Sequence, residues 1–437
     1  MKQEPTITVG IVDGQTELTG QIDGNFLSEG FGLLSGRFSG KADTGTTVLR
    51  DGAHREILRS PLIKLSAVGD STFRLSNVTI GKRFHWQRTE EQTFQGDLIL
   101  RLRENGTITA INEISLETYL KSVVSSEMSG GAPMEFLKAH AILSRSWLLA
   151  ALKRAKDAGD TSGPLSKGSE KEGEVIRWYE REDHDLFDVC ADDHCQRYQG
   201  IMKIVSGEAE KAVRETCGKA ITCHGEICDA RYSKACGGLT EDFSTAWRDK
   251  SVPYLTSISD APIPHQPIVT EEEARRWILS APDAYCNTQD KRLLETILPE
   301  VDRETRNFFR WRIEYPRAEL EEILREKSGF DFGTLKEIIP LHRGASGRIS
   351  RLKITGSKRS VVVGKELEVR RWLSRNHLYS SAFVITFEAG RVIFQGAGWG
   401  HGVGLCQIGA AVMATQGFSA EEILGHYFQG TEIQKMY

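Results

Sequence analysis

Residues 113–155 read EISLETYLKSVVSSEMSGGAPMEFLKAHAILSRSWLLAALKRA. Two helical patterns share this stretch. Leu116, Tyr119, Leu120, Val123 and Val124 recur at the spacing of one helix face, and Phe136, Leu137, Ala141, Ile142, Trp147, Leu148 and Ala151 do so again. Between them, Ser129-Gly130-Gly131-Ala132-Pro133 has the composition of a turn. Helices this apolar need a cover, so the stretch predicts a helical hairpin packed on a sheet. Glu127 stands at the end of the first helix, where a carboxylate opposes the helix dipole instead of complementing it. Ser125 and Ser126, just before it, are small enough to let another chain or a ligand approach. Lys138 and Arg145 follow on one face of the second helix. An acid with two cations in reach reads either as an ion-pair network or as a functional site.

Upstream of the hairpin, residues 6–110 read as strands. TITVGIV, FGLLSG, TTVLR, STFRLSNVTI, GDLILRL and GTITAIN alternate or run apolar, punctuated by Gly, Asp and Asn. They predict an antiparallel β module that feeds the first helix. His85 and Trp86 in this region can stack on a sugar or pack at an edge. Downstream, residues 157–174 are Gly, Ser and charge without periodicity and predict an exposed loop.

The chain then enters IRWYEREDHDLFDVCADDHCQRYQG, in which His184, Cys190, His194 and Cys195 fall close together. Two thiolates and two imidazoles are a ligand set for a closed tetrahedral zinc, with the segment wrapped as a turn, because adjacent His194 and Cys195 cannot both ligate from a regular helix. The other reading is a buried free thiol beside exposed histidines. Next come a short helix, a hairpin turning at His224-Gly225-Glu226, and the element YSKACGGLTEDFSTAWRDKSVPYL. Cys217, Cys223, Cys228 and Cys236 match no metal template in their spacing and read as small buried thiols. Residues 260–380 hold charged helices in EEEARRWIL, RAELEEILREK and EVRRWL, with strands in GRISRLKIT and KRSVVVG. Near the C-terminus, GAGWGHGVGLCQIGAA alternates Gly around His401 before an Ala-rich helix. It lacks the Lys-Ser/Thr of a phosphate loop and the spacing of a dinucleotide fingerprint.

At 437 residues with a net charge of -4, the chain can bury a sizeable core and offers no electrostatic case for nucleic acid or a polybasic membrane contact. No run approaches a transmembrane span. The first residues, MKQEPTITVGIVDG, lack the pattern of a secretory signal.

The string YLKSVVSSEMSGGAPMEFLKAHAILSRSW resembles the core signature of the SpoIID/LytB family. So do YSKACGG, with the Trp247 and Pro253-Tyr254-Leu255 that follow it, and, almost letter for letter, GAGWGHGVGLCQIGA, where Cys406 stands in a place usually held by Ser. The resemblance implies an α+β, SpoIID-like fold: an antiparallel β-rich module with a catalytic helical hairpin and an elaborating helical insertion. It divides the chain into a β-rich segment at 1–75, a first part of the core at 76–260, a helical variable insertion at 261–345 and a second part of the core at 346–437. It implies a peptidoglycan lytic transglycosylase that cleaves the MurNAc-β-1,4-GlcNAc bond of glycan strands, stripped of stem peptides, to 1,6-anhydro products. Glu127 would be the single acid and base. Lys138, Arg145, Tyr232, Ser233, Gly237, Gly238, Thr240, His401 and Gln407 would contact substrate or shape its groove, Lys138 and Arg145 without pairing to Glu127. His184, Cys190, His194 and Cys195 would hold a structural zinc. The alternative from the same resemblance is a glycan-binding amidase enhancer that cleaves nothing and has a cell-wall amidase as its partner. An extracytoplasmic place at the cell envelope is implied, while the N-terminal pattern leaves a cytoplasmic one open.

Overall fold

The computed structural model describes residues 3–82, 87–158, 168–179, 184–204, 206–303 and 307–437; His85 and Trp86 lie outside them. The architecture is α+β and rich in strands. Among the described residues ten strands precede the hairpin: β1 (Thr6–Gln15), β2 (Glu17–Ser28), β3 (Gly32–Asp43), β4 (Thr46–Asp51), β5 (Glu56–Ser60), β6 (Leu62–Ala67), β7 (Thr72–Ile80), β8 (Arg88–Gln95), β9 (Asp97–Leu102) and β10 (Ile108–Ser115). The six segments expected as strands overlap β1, β3, β4, β7, β9 and β10. The sequence concealed β2, β5, β6 and β8 because few of their residues face the core. In β8 only Gln92 and Phe94 are buried, and a strand with so thin an apolar face carries little alternation.

These strands build one sheet in the order β1-β10-β9-β6-β2-β3-β4-β5, and β7 joins β2 to β8. Pairing crosses residue 75, since β6 lies against β9 and β7 against β8. A short strand, Val189–Cys190, adds to β1 in parallel, with Val9 opposite Val189 and Gly10 opposite Cys190. The cysteine element is thereby fixed to the edge of the sheet.

The chain passes from β10 directly into α1 (Leu116–Glu127), with the Ser115 hydroxyl accepting from the Thr118 N–H as cap. After the turn comes α2 (Met134–Ala158), and α3 (Gly207–Glu215) packs beside both. One core joins the sheet to the hairpin: Phe73, Phe94, Leu98 and Leu100 meet Tyr119, Leu120, Val123 and Val124, then Phe136, Ile142 and Leu148. The Tyr119 ring stacks on Tyr198 at 5.0 Å. Helix Gln407–Thr415 and helix Ala420–Tyr427 pack on α2, and the last strand, Glu432–Lys435, pairs with Lys219–Cys223.

A second core gathers around Trp311, Leu320, Leu324, Leu352, Trp372 and Phe394. It is built by strands Arg310–Pro316, Leu335–Arg343, Ile349–Gly356, Ser360–Gly364, Phe383–Glu388 and Arg391–Ala397 with helices Arg317–Ser328 and Glu366–Trp372. Part of the expected exposed loop also belongs here. Residues 159–167 lie outside the described residues, but Gly168–Lys171 and Glu174–Arg177 form a hairpin whose second strand pairs with Ser360–Gly364. Val175 and Ile176 are the buried residues that hold it down, and two apolar residues are too few to show as periodicity.

Candidate active site

Glu127 ends α1, and Met128 leaves the helix in an extended conformation. Only 9% of Glu127 is exposed, yet it lines an open cavity of about 990 Å³ that runs between the two cores. Its Oε1 accepts from the Tyr232 hydroxyl at 2.9 Å and from the Arg197 backbone N–H at 2.9 Å. Both donors are neutral. The end of the helix dipole is answered by cations on the main chain instead: Lys234 Nζ donates to the Glu127 carbonyl at 3.0 Å and Arg197 Nη1 to that of Ser126 at 3.4 Å. Two other acidic side chains of the cavity are ion-paired through the same cations that meet the end of α1. Asp193 meets Arg197 at 2.7 Å, and Asp302 meets Lys234 at 3.0 Å.

Tyr232 belongs to a two-residue strand, Tyr232–Ser233, that pairs in parallel with Leu405–Cys406. Burial first, and then the neighbouring Glu127, pushes its phenol well above the ordinary tyrosine range, so the hydroxyl stays a donor. The edge of His140 meets the Tyr232 ring at 5.1 Å, and its Nε2 lies 3.0 Å from Gln407 Nε2. Gln407, His140, Tyr232 and Glu127 thus touch in sequence. Complete burial holds His140 down at about 4, so it is the neutral imidazole that accepts from the Gln407 amide.

That depression has a consequence for stability. Between the unfolded value near 6.5 and the folded value of about 4, the unfolded chain binds the extra proton, so stability falls as pH drops through this window. The expected loss from pH 7 to pH 5 is about 2 kcal/mol. Urea unfolding at both pH values should show it in the wild type and show it reduced by that amount in His140→Asn.

Of the residues expected to face substrate, Tyr232, Ser233, His401 and Gln407 line the cavity with Glu127. The Ser233 hydroxyl has no hydrogen-bond partner among the described residues. His401 accepts from the Val403 N–H at 3.0 Å and meets the Trp247 ring at 4.9 Å. Burial, then Arg231, Arg348 and Arg370, hold it well below the ordinary histidine range, so it too is neutral. Trp247 is 6% exposed and gives its N–H to the Tyr179 carbonyl, as a core aromatic does.

Two expectations are narrowed to one of their alternatives, and three are corrected. Arg145 is fully buried and forms a two-pronged ion pair with Glu117 at 2.7 and 2.8 Å. Lys138 pairs with Glu135 and Glu215. Their shared helix face points at acidic partners on α1 and α3, away from the cavity, so of the two roles expected for them only scaffolding fits. Gly237 and Gly238 are buried with positive φ, and a side chain on either would strike protein atoms, the Gly398 N at 2.9 Å and the Trp277 ring at 2.8 Å. Thr240 is buried, donating to the Thr256 carbonyl and accepting from Ile258 N–H.

His184, Cys190, His194 and Cys195 converge at one wall of the same cavity, their ligand atoms all within 4.8 Å of one another. His184 Nε2 lies 3.3 Å from Cys195 Sγ, and His194 Nδ1 lies 3.5 Å from Cys195 Sγ and 3.9 Å from Cys190 Sγ. Nitrogen and sulfur on one tetrahedral ion sit about 3.5 Å apart, so the donor set fits a metal. Cys195 first, and then the two histidines, hold the Cys190 thiol far below its ordinary value.

Sequence reasoning missed His140, Arg197, Lys234 and the stacked pair Tyr379 and Trp399, whose rings lie 3.9 Å apart on the cavity wall. Lys234 and Arg197 sit inside the quoted motifs, but their contacts with α1 arise from folding alone.

Residues 104–223 match the family model described as Stage II sporulation protein, SpoIID, and residues 241–404 match a domain of unknown function, DUF8618. The chain is 24% identical over 327 residues to stage II sporulation protein D of Bacillus amyloliquefaciens, an alignment covering 75% of this chain and 76% of that protein. It is 26% identical over 330 residues to an uncharacterized protein of Brachyspira hyodysenteriae, covering 75% and 69%. It is 25% identical over 249 residues to the amidase enhancer of Bacillus subtilis, covering 52% of this chain and 33% of that protein.

Proposed function

With its SpoIID domain at residues 104–223, the chain belongs to the SpoIID/LytB family, and from that premise we propose that it is a peptidoglycan lytic transglycosylase acting through Glu127. The observation that carries this reading is the pairing pattern of the cavity's acids. Asp193 and Asp302 are tied to cations and Asp192 is turned to the backbone N–H groups of Lys82 and Asp193, whereas among the described residues the Glu127 side chain takes its hydrogen bonds from a phenol and a backbone N–H. A hydrolase of glycans normally sets two carboxylates across the bond, one for the leaving oxygen and one for water. A lytic transglycosylase needs one. Its proton goes to the glycosidic oxygen as the bond breaks, and it then takes the proton of the muramic C6 hydroxyl as that oxygen attacks the anomeric carbon and closes the anhydro ring. Tyr232 and the Arg197 N–H hold the carboxyl in place, and Tyr379 with Trp399 offers an aromatic face for a sugar. Glycan strands free of stem peptides are the substrate that an open, aromatic-walled cavity suits, and an extracytoplasmic place at the envelope follows from that substrate.

For His184, Cys190, His194 and Cys195 we propose a structural zinc. Four protein ligands leave no open position for water, so its part is to tie the strand Val189–Cys190, and through it β1, to the cavity wall.

The test is digestion of purified glycan strands, bare and peptide-bearing, read by mass. Ends lighter by one water than hydrolytic ends, released from bare strands, are expected. Tyr232→Phe removes one of the two hydrogen bonds that hold the Glu127 carboxyl in place, and turnover should fall about 10-fold with little change in KM.

A second reading has one observation in its favour, the likeness to an amidase enhancer. Under it the cavity binds glycan and stimulates a wall amidase without cleavage. Unchanged strands that still co-sediment with the protein would favour it. Cys406 does not weigh for either reading, because it is fully buried and does not line the cavity.

A further inference from the structure

We propose that Cys236, Asp260, Cys286 and Cys406 form a second metal site, a closed tetrahedral one that takes a single zinc ion. The inference is independent of the reaction assigned to Glu127. The four residues come from four separate segments, yet their ligand atoms all lie within 4.8 Å of one another and all four side chains are buried. Cys236 Sγ and Cys286 Sγ are 3.7 Å apart. Two sulfurs on one tetrahedral zinc, each bonded at about 2.3 Å, sit about 3.8 Å apart, whereas a disulfide brings them to about 2 Å.

Two backbone N–H groups are aimed at sulfurs of the cluster, as they are around metal-bound cysteines. The Cys236 N–H points at Cys406 Sγ at 3.2 Å and the Gly238 N–H at Cys236 Sγ at 3.3 Å. The second bond needs the left-handed turn through Gly237 and Gly238, which is the service those two glycines perform here. Asp260 is fully buried, and among the described residues no Lys, Arg or His forms an ion pair with it. It accepts instead from the Tyr427 hydroxyl and the Cys286 N–H. A metal ion would supply the counter-charge that a carboxylate needs at this depth, and the two hydrogen bonds are the outer contacts that orient a ligand. Room for it is left by Gly409, where a Cβ would lie 2.2 Å from Asp260 Oδ1.

The site lies beside the catalytic wall. Cys236 follows Tyr232–Ser233, Cys406 precedes Gln407, and those two short strands pair with Ser233 opposite Cys406. One ion would pin the strand that brings Tyr232 to Glu127 and the helix that brings Gln407 to His140. Such a site has no open position and takes no part in chemistry.

The full-length chain, purified anaerobically and dialysed against a weak chelator, should retain two zinc ions. Zinc-edge X-ray absorption should average more than two sulfur neighbours per ion, the sum of a two-sulfur, two-nitrogen site and a three-sulfur, one-oxygen site. Cys190→Ser with Cys195→Ser should leave one zinc with three sulfurs, and Cys286→Ser one zinc with two. A wild-type spectrum without a three-sulfur component overturns the proposal whatever the variants do, and so does a Cys236–Cys286 disulfide in the peptide map of that protein.

Discussion

Glu127→Gln is expected to lower the rate of glycan cleavage by on the order of 10²- to 10⁴-fold, the contribution of one positioned acid and base, without unfolding the chain. The amide oxygen of Gln can still accept from Tyr232 and from the Arg197 N–H, the two bonds that Oε1 now takes. What it cannot do is give a proton to the leaving oxygen or remove one from the C6 hydroxyl. Both half-reactions fall together, so KM should stay near the wild-type value while kcat collapses. Time courses of anhydro-end release for the two proteins, with circular dichroism to check the fold, read this directly. If the variant keeps more than a tenth of the wild-type rate, the acid lies elsewhere in the cavity.

The largest effect on stability is expected at Arg145. Its guanidinium is wholly buried and grips both oxygens of Glu117, with a third bond to the Lys219 carbonyl at 2.9 Å. Glu117 also accepts from the Gly218 N–H and the Tyr437 hydroxyl. One ion pair therefore joins α1, α2, the strand Lys219–Cys223 and the end of the chain. Burial works to raise the Glu117 carboxyl, and Arg145 with the other donors outweighs it, holding the group below its ordinary value. Such a group stabilises the fold above the unfolded carboxylate range, and that contribution disappears as pH falls through its folded value. Arg145→Met leaves a carboxylate buried without its cation and should cost about 3–5 kcal/mol. Adding Glu117→Gln should recover part of the loss. Urea midpoints for the four proteins check both statements, and activity per folded molecule should stay at the wild-type level, because Arg145 does not reach the cavity. A raised KM in folded Arg145→Met would restore the substrate contact expected from the sequence.

The contrast between Glu127 and Arg145 shows what the sequence could carry. The helical hairpin, its turn and the strand leading into it are local patterns of apolar spacing and Gly-Pro punctuation, and they were legible. Glu127 was legible as an acid in the wrong place for its helix. Lys138 and Arg145 share a helix face as expected, but which neighbour that face meets depends on where Glu117 and Glu215 fold, and no periodicity records this. His140 was invisible for the same reason: in the sequence it is one polar residue in an apolar helix, and only packing sets it between Gln407 and Tyr232. The His184–Cys195 ligands are close in sequence and could be read as a set, whereas Cys236, Asp260, Cys286 and Cys406 are brought together from four segments by tertiary structure. The glycine pair 237–238, expected to face the groove, instead makes room for Gly398, Trp277 and a cysteine turn.

The most direct test of the central claim is digestion of bare glycan strands by the wild-type chain in water enriched in heavy oxygen. The single-carboxylate route through Glu127 predicts anhydro ends that carry no label, because the attacking oxygen is the sugar's own. Labelled reducing ends would contradict it, showing that water is the nucleophile and that a second group in the cavity activates it.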